Sequence, residues 1–342
     1  MKRHFVIGGI ALLLAGALGS LGERPPFFAT WLAAWCFCAG LMLGTAAIGC
    51  IHRLTGGRWG QVLRPAGMAL RRRMPLLLLL FLPVLAGMRQ LYPWWPQTPG
   101  RIWFAHPFVA LRFAGYAIGA WAFARADEPS TAGQAALRLI GWMLLGSLAA
   151  VDLLMSLTEG WTSSIFGWLT LTAQMTTGAT AAVAVTTLKA AGSQAPRRDP
   201  AWRDLGNLML MFVMLQAYLQ FMQFLIIWAE NLPREISWYL PRLDGGWRFV
   251  GLALIVLQFA APLLALLFRR IKDDPQRLGR VALSLLAMQA LASLWTVLPS
   301  VQAEGYAAWW LAPLVFGGMG MLLFGHMLPP PRRSSIAELS HG

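Results

Sequence analysis

The chain has 342 residues, 57% of them apolar and only 12% charged, with 17 Trp and a formal net charge of +14. Soluble domains average roughly a quarter charged residues, so this composition excludes an ordinary soluble fold and points to an integral membrane protein. The positive charge sits in short segments between apolar runs, where Lys and Arg set membrane orientation; this placement argues against nucleic-acid binding.

The pattern predicts an all-α polytopic membrane protein. Apolar windows near residues 5–21, 27–51, 75–91, 103–124, 137–157, 163–189, 205–230, 247–268, 279–300 and 307–327 are each long enough to cross a hydrocarbon core of about 30 Å, giving about ten spans. They form one integral domain over 1–342, with 328–342 as a tail. The first window follows Lys2-Arg3-His4 and is expected to be a true span instead of a signal peptide, because Pro25-Pro26 leads straight into the next apolar run.

Of the 28 Lys and Arg, 21 fall on the side holding the N-terminus and six on the other, with Arg112 inside a span. The imbalance predicts both termini in the cytoplasm and the turn after Asp152 on the outer face. The basic 52–75 loop, with Thr55-Gly56-Gly57-Arg58-Trp59-Gly60, lacks the spacing of a phosphate-binding loop, and membrane lipid is its expected partner. Segment 230–247, with mixed charge, Trp and Tyr, suits either an interfacial aromatic belt or a docking surface.

Cys36, Cys38 and Cys50 lie in one apolar run, without CxxC or CxxCH spacing, and none of His4, His52, His106, His326 and His341 is mid-span with a partner on another span. Neither a disulfide frame, a metal site nor a haem is expected, and electrons, if carried, would travel on a quinone.

Few polar groups lie at membrane depth, where an ionisable side chain costs roughly 2.5–3.5 kcal/mol and so faces a bundle interior or wet cavity. Asp152 is the acid well inside a span; continued as helix, Asp152, Ser156 and Glu159 share one face and form a polar track to the outer surface. Arg112, roughly 13 Å deep on the preceding antiparallel span, is expected to find an anionic partner, Asp152 being the available one, or else to snorkel outward or bind backbone carbonyls. Gln216, Gln220, Gln223 and Glu230 fall on one face of the seventh span, and Thr170, Gln174 and Thr177 on one face of the sixth. Gln258 and Gln289 are single amides on the eighth and ninth. Amides at helical spacing also serve simply to join helices. Arg112, Asp152, Ser156, Glu159, Gln223 and Glu230 are the candidate site, an outward-opening proton path or quinol cavity.

Four ordered segments carry a resemblance. They are His52-Arg53-Leu54-Thr55-Gly56-Gly57-Arg58-Trp59-Gly60; Pro107-Phe108 with Arg112 and Tyr116; Asp152-Leu153-Leu154-Met155-Ser156-Leu157 with Trp161 and Ser164-Ile165-Phe166-Gly167; and Gln223-Phe224-Leu225-Ile226-Ile227-Trp228 with Asn231-Leu232-Pro233. In these the chain resembles the ActF-type membrane subunit of bacterial alternative complex III, a quinol:cytochrome c oxidoreductase, within the NrfD/polysulfide-reductase-like group. The resemblance implies two packed four-helix bundles plus peripheral helices in a bacterial inner membrane. It implies partners too: a second NrfD-like subunit, an iron–sulfur protein and c-type cytochromes. The chain would act in proton conduction or scaffolding, without activity alone. One departure stands out: where the family's ninth span is expected to carry His and Asp, this chain has Gln289 and Ala292 ahead of Trp295 and Pro299, leaving the inner half of a proton path without an acid. The alternatives are a secondary transporter, disfavoured because no pair of interrupted spans is evident, and a structural or assembly subunit.

Overall fold

A chain of this composition has little water with which to satisfy backbone N–H and C=O groups, so it closes them locally. Helix is the only regular structure among the described residues. The computed structural model describes residues 2–19, 24–95, 102–125, 129–191, 200–301 and 309–327; the expected tail at 328–342 lies outside them.

The chain runs through α1 (Lys2–Gly19), α2 (Arg24–Thr55), an amphipathic α3 (Trp59–Arg71), then α4 (Met74–Leu79), α5 (Leu82–Ala86) and α6 (Met88–Leu91). There follow α7 (His106–Arg125), α8 (Ala132–Leu153), α9 (Phe166–Ala191) and α10 (Pro200–Glu230), and the short α11 (Pro233–Ile236) and α12 (Leu240–Leu243). Next, α13 (Trp247–Ala253) passes through a π-helical turn, Leu254–Ala260, into α14 (Ala261–Leu267). The described chain closes with α15 (Arg269–Lys272), α16 (Pro275–Val301) and α17 (Leu311–Phe324).

Six segments are long and apolar enough to cross a membrane: Pro25–Thr55, His106–Arg125, Ala132–Leu157, Pro200–Glu230, Trp247–Leu267 and Pro275–Val301. The other four expected windows differ for identifiable reasons. Two, Arg3–Leu18 and Leu311–Met327, form shorter apolar helices. The sixth, α9, spans 26 residues or about 39 Å, but its threonines dilute its hydropathy. Those hydroxyls are spent within the helix: Thr170, Thr176, Thr177, Thr180 and Thr186 each donate to the carbonyl four residues earlier at 2.7–3.1 Å. A hydropathy count thus scores α9 as polar although most of its threonine hydroxyls are satisfied within the helix, the buried Thr172 hydroxyl being an exception.

The third window is broken outright. Pro83 has no N–H and its ring displaces the carbonyl four residues back, so α4 stops at Leu79. The Phe81 and Val84 N–H groups turn to the Leu78 and Phe81 carbonyls at 3.1 and 2.9 Å, which releases the carbonyls of Leu77 and Leu80. Two indoles from one face of α2 take them up: Trp35 Nε1 donates to Leu77 O at 2.8 Å and Trp31 Nε1 to Leu80 O at 2.7 Å.

Helices α2, α9 and α16 are in mutual contact at the centre. At the α2–α9 crossing a Cβ on Gly44 would fall on the Gln174 carbonyl, and one on Gly178 on the backbone of Gly44 and Thr45. Lipid tails are as apolar as Leu, so helices join by such close backbone approach rather than by apolar burial from water. Around this centre, α8 and α10 flank α9, α7 leans on α8, and α13 through α14 pack on α10 and α16. The pair α1–α17 packs beside α2. α3 buries Leu63, Ala66 and Leu70 against α2 and α9 and leaves Arg64 and Arg72 exposed. Near the start of α16, Arg203 holds Asp273 through two hydrogen bonds of 2.8 and 2.7 Å, and Lys272 donates to Asn207 at 2.7 Å.

Gly178→Val is expected to destabilise the bundle by about 1–3 kcal/mol or more through backbone overlap, and Trp31→Phe by about 1 kcal/mol through the orphaned Leu80 carbonyl. Unfolding midpoints in detergent measure both.

Candidate functional site

Asp152 sits at the end of α8, 4% exposed, and both carboxylate oxygens are spent. Arg112 on α7 donates Nε to Oδ2 at 2.7 Å and Nη2 to Oδ1 at 3.2 Å. The expected ion pair is therefore direct and two-pronged. Arg112 Nη1 donates to the Trp103 carbonyl at 2.6 Å, and its guanidinium lies over the rings of Trp103 and Phe108 at 4.1 and 5.0 Å. Tyr116, one turn along α7, donates its hydroxyl to Asp152 Oδ2 at 2.7 Å. Tyr116 Oη and Arg112 are four residues apart, so one helix face delivers both.

The continuous Asp152–Ser156–Glu159 track is not formed. Helix α8 ends at Leu153 and passes through a short 3₁₀ turn, Met155–Leu157, so the spacing that would align the three residues is lost. Ser156 turns back to donate to the Asp152 main-chain carbonyl at 2.6 Å, closing the helix end, and Glu159 is exposed beside Gly160. Gln223 is buried and accepts from Ser163 at 2.6 Å, whereas Gln220 and Glu230 on the same helix are exposed. Of the six candidate residues, Arg112 and Asp152 meet, Ser156 touches Asp152 only through backbone, and Glu159, Gln223 and Glu230 are elsewhere.

Just beyond α10, partial burial first, then the neighbouring Glu230 carboxylate, raise the Glu235 carboxyl above the usual range, with Arg234 opposing.

The sequence reading missed Arg242, which it counted as a loop cation. Arg242 is 1% exposed and has no carboxylate partner among the described residues. It donates Nε to Trp295 O at 3.2 Å, Nη2 to Thr296 O at 2.6 Å and to Ser300 Oγ at 2.7 Å, and Nη1 to Trp238 O. Pro299 explains the acceptors: lacking an N–H, it leaves the carbonyl four residues earlier, that of Trp295, without its helical donor. Carbonyls near a helix C-terminus also carry partial negative charge. The guanidinium lies 3.5 Å from the Trp238 ring centroid, and Trp161 stacks on the far side of Trp238, centroids 5.3 Å apart at 20°. Thr158 donates to the same Ser300 hydroxyl at 3.1 Å, which ties the turn after Asp152 to the end of α16. A Pro four residues after Trp295 was the available signal.

Between α8 and α10, with α7, α9, the α13–α14 segment and α16 completing the walls, lies a cavity of about 1260 Å³. Its walls are mainly apolar. Asp152 does not line it, but Tyr116, whose hydroxyl donates to the carboxylate, does. Gln223 and Arg242 also line it, as do Gln216, Gln258 and Gln289. Among the described residues no group of three His, Cys, Asp or Glu is placed to hold a metal ion.

The arrangement defines a helical membrane protein with a buried acid at the rim of a large apolar cavity. Compared with models of known protein families the sequence gives no match, and it matches no curated protein.

Removing one partner of a buried ion pair strands the other, at a cost of about 3–5 kcal/mol, whereas an apolar pair of similar volume is often tolerated. Asp152→Leu is therefore expected to lower stability more than the double variant Arg112→Met/Asp152→Leu, read from unfolding midpoints in detergent. Glu230→Gln is expected to bring the Glu235 carboxyl down towards its usual range but not fully, since burial remains; infrared titration of ¹³C-labelled Glu follows it.

Proposed function

We propose that this chain is the membrane subunit of a quinol-oxidising respiratory complex in a bacterial inner membrane, inactive alone, whose buried acid exchanges protons with the outward side. The carrying observation is the Arg112–Asp152–Tyr116 cluster at the edge of the cavity. A carboxylate fixed by a guanidinium, whose route to the cavity passes through a phenolic hydroxyl, suits proton exchange with a reduced headgroup. The outer turn is sealed by Arg242, and no acid continues the path inward from Gln289, so the duty is that of a half-channel or quinol-side cavity. Six apolar spans, two shorter apolar helices, the Pro-broken segment and α9 support ten crossings, with both termini on the Lys- and Arg-rich side. The surrounding subunits would be a second NrfD-like protein, an iron–sulfur protein and c-type cytochromes.

Asp152→Asn in the native membrane is expected to lower quinol-dependent cytochrome c reduction, or its proton release, roughly tenfold or more, and Tyr116→Phe to lower it less. Purification in mild detergent should bring down iron–sulfur and haem c proteins. A solitary monomer, with turnover unchanged in Asp152→Asn, sinks the reading.

One observation favours a second reading, a secondary transporter. If ten segments cross, the Pro-broken Met74–Leu91 and the continuous but π-widened Trp247–Leu267 are the third and eighth, the same position in two five-span halves. Paired discontinuous helices mark the binding sites of inverted-repeat transporters. Ion-driven solute uptake into vesicles holding the chain alone would establish it; no uptake removes it.

A further inference from the structure

Three amides that the sequence scatters over three helices, each near the middle of its own, line one cavity. Gln216 lies near the middle of α10, Gln258 in the π-helical turn halfway along Trp247–Leu267, and Gln289 midway along α16. All three are buried, at 5%, 7% and 3% exposure, and all line the cavity. Gln216 and Gln289 satisfy each other reciprocally: Gln289 Nε2 donates to Gln216 Oε1 at 2.7 Å and Gln216 Nε2 to Gln289 Oε1 at 3.4 Å.

Gln258 is left out. Its Nε2 is enclosed and has no hydrogen-bond partner, although an unmade bond at such a site costs about 1–3 kcal/mol. Its place on the backbone is also unusual. Pro262 follows four residues later and cannot donate to the Gln258 carbonyl, and the helix widens there into the π turn. Single π turns recur at functional sites. The last side-chain torsion of Gln is soft, so the NH₂ can be turned to the cavity side.

We propose that this amide level is a binding site for a neutral lipophilic molecule, whose carbonyl oxygen accepts a hydrogen bond from Gln258 Nε2. Three features select that chemistry. The spare group is a donor, so the ligand supplies an acceptor. The arginines that line the cavity, Arg138, Arg242 and Arg248, lie near the ends of their segments and none is at the amide level, so a charged head has no counter-charge there. The remaining walls are apolar, and a cavity of about 1260 Å³ exceeds the roughly 300–1,000 Å³ that usual small-molecule pockets offer, leaving room for a hydrocarbon tail. A quinone carbonyl and a glycerolipid ester carbonyl share this chemistry. The site is independent of any respiratory role for Asp152.

The test uses the full chain in detergent with two carbonyl probes, decylubiquinone and dioleoylglycerol, each ¹³C-labelled at its carbonyls. Infrared spectra of the wild-type chain are expected to show a bound carbonyl stretch moved to lower wavenumber than the same probe in empty micelles. Gln258→Met, which keeps the volume and removes the donor, is expected to abolish the shift and to weaken binding roughly three- to tenfold. A response to decylubiquinone alone or to dioleoylglycerol alone assigns the source while supporting the site. If neither probe binds, if neither carbonyl shifts in wild type, or if Gln258→Met leaves both affinities unchanged, the site is refuted and Gln258 is met by water or stays unpaired. The wild-type spectra decide the matter should Gln258→Met fail to fold. Quinol turnover is not part of the readout, so failure here is separable from failure of the respiratory assignment.

Discussion

A guanidinium cannot be left bare where water is scarce, and the half-buried Arg112 and the fully buried Arg242 are satisfied in different ways. Arg112 is met by a carboxylate, through bonds of 2.7 and 3.2 Å to Asp152. Arg242 is met by two carbonyls near the end of α16, one of them, that of Trp295, left without its helical donor by Pro299. The first solution ties α7 to α8, where few α7 residues are otherwise buried. The second ties the 233–244 segment to α16 and, through Ser300 and Thr158, to the turn that follows Asp152. The end of the bundle that holds the turn after Asp152 depends on both.

Proline has the same effect at three places. At Pro83 it frees carbonyls that Trp31 and Trp35 occupy, at Pro299 it frees those that hold Arg242, and at Pro262 it accompanies a π turn beside an unpaired amide. Each break costs helix hydrogen bonds, and each exposes backbone polarity inside an apolar bundle. Two of these breaks are repaired by side chains from another helix. At the third, an amide nitrogen stays enclosed and unpaired in a residue that lines the cavity, which is why that level is the place where a ligand carbonyl fits.

Tyr116 gives the buried pair its direction. The Asp152 carboxylate is enclosed, and the side chain that touches both it and the cavity is a phenol. The proposed proton exchange at Asp152 thus passes one hydroxyl. Glu159 and Glu230, which helical spacing had placed on the same route, stand at the surface. Continuity of the α8 helix was the assumption that put Glu159 there, and the 3₁₀ turn at Met155–Leu157 removes it.

Hydropathy and length are local properties, and from them the sequence by itself predicts the all-helical class and the positions of the apolar segments. The cost of a lone charge at depth made Asp152 one partner open to Arg112, beside backbone carbonyls, and the packing of α7 on α8 selected it. The sequence did not show how the break at Pro83 is satisfied, since the indoles that take the released carbonyls come from α2, more than forty residues away. Nor did it reveal Arg242, whose acceptors are mostly main-chain oxygens, two of them more than fifty residues away on α16, and main-chain oxygens carry no sequence signature. The meeting of Gln216, Gln258 and Gln289 was decided by tertiary structure alone: each is one polar residue on its own helix, and only the packing of α10, the π turn and α16 around one cavity brings them to its walls and leaves one amide unpaired.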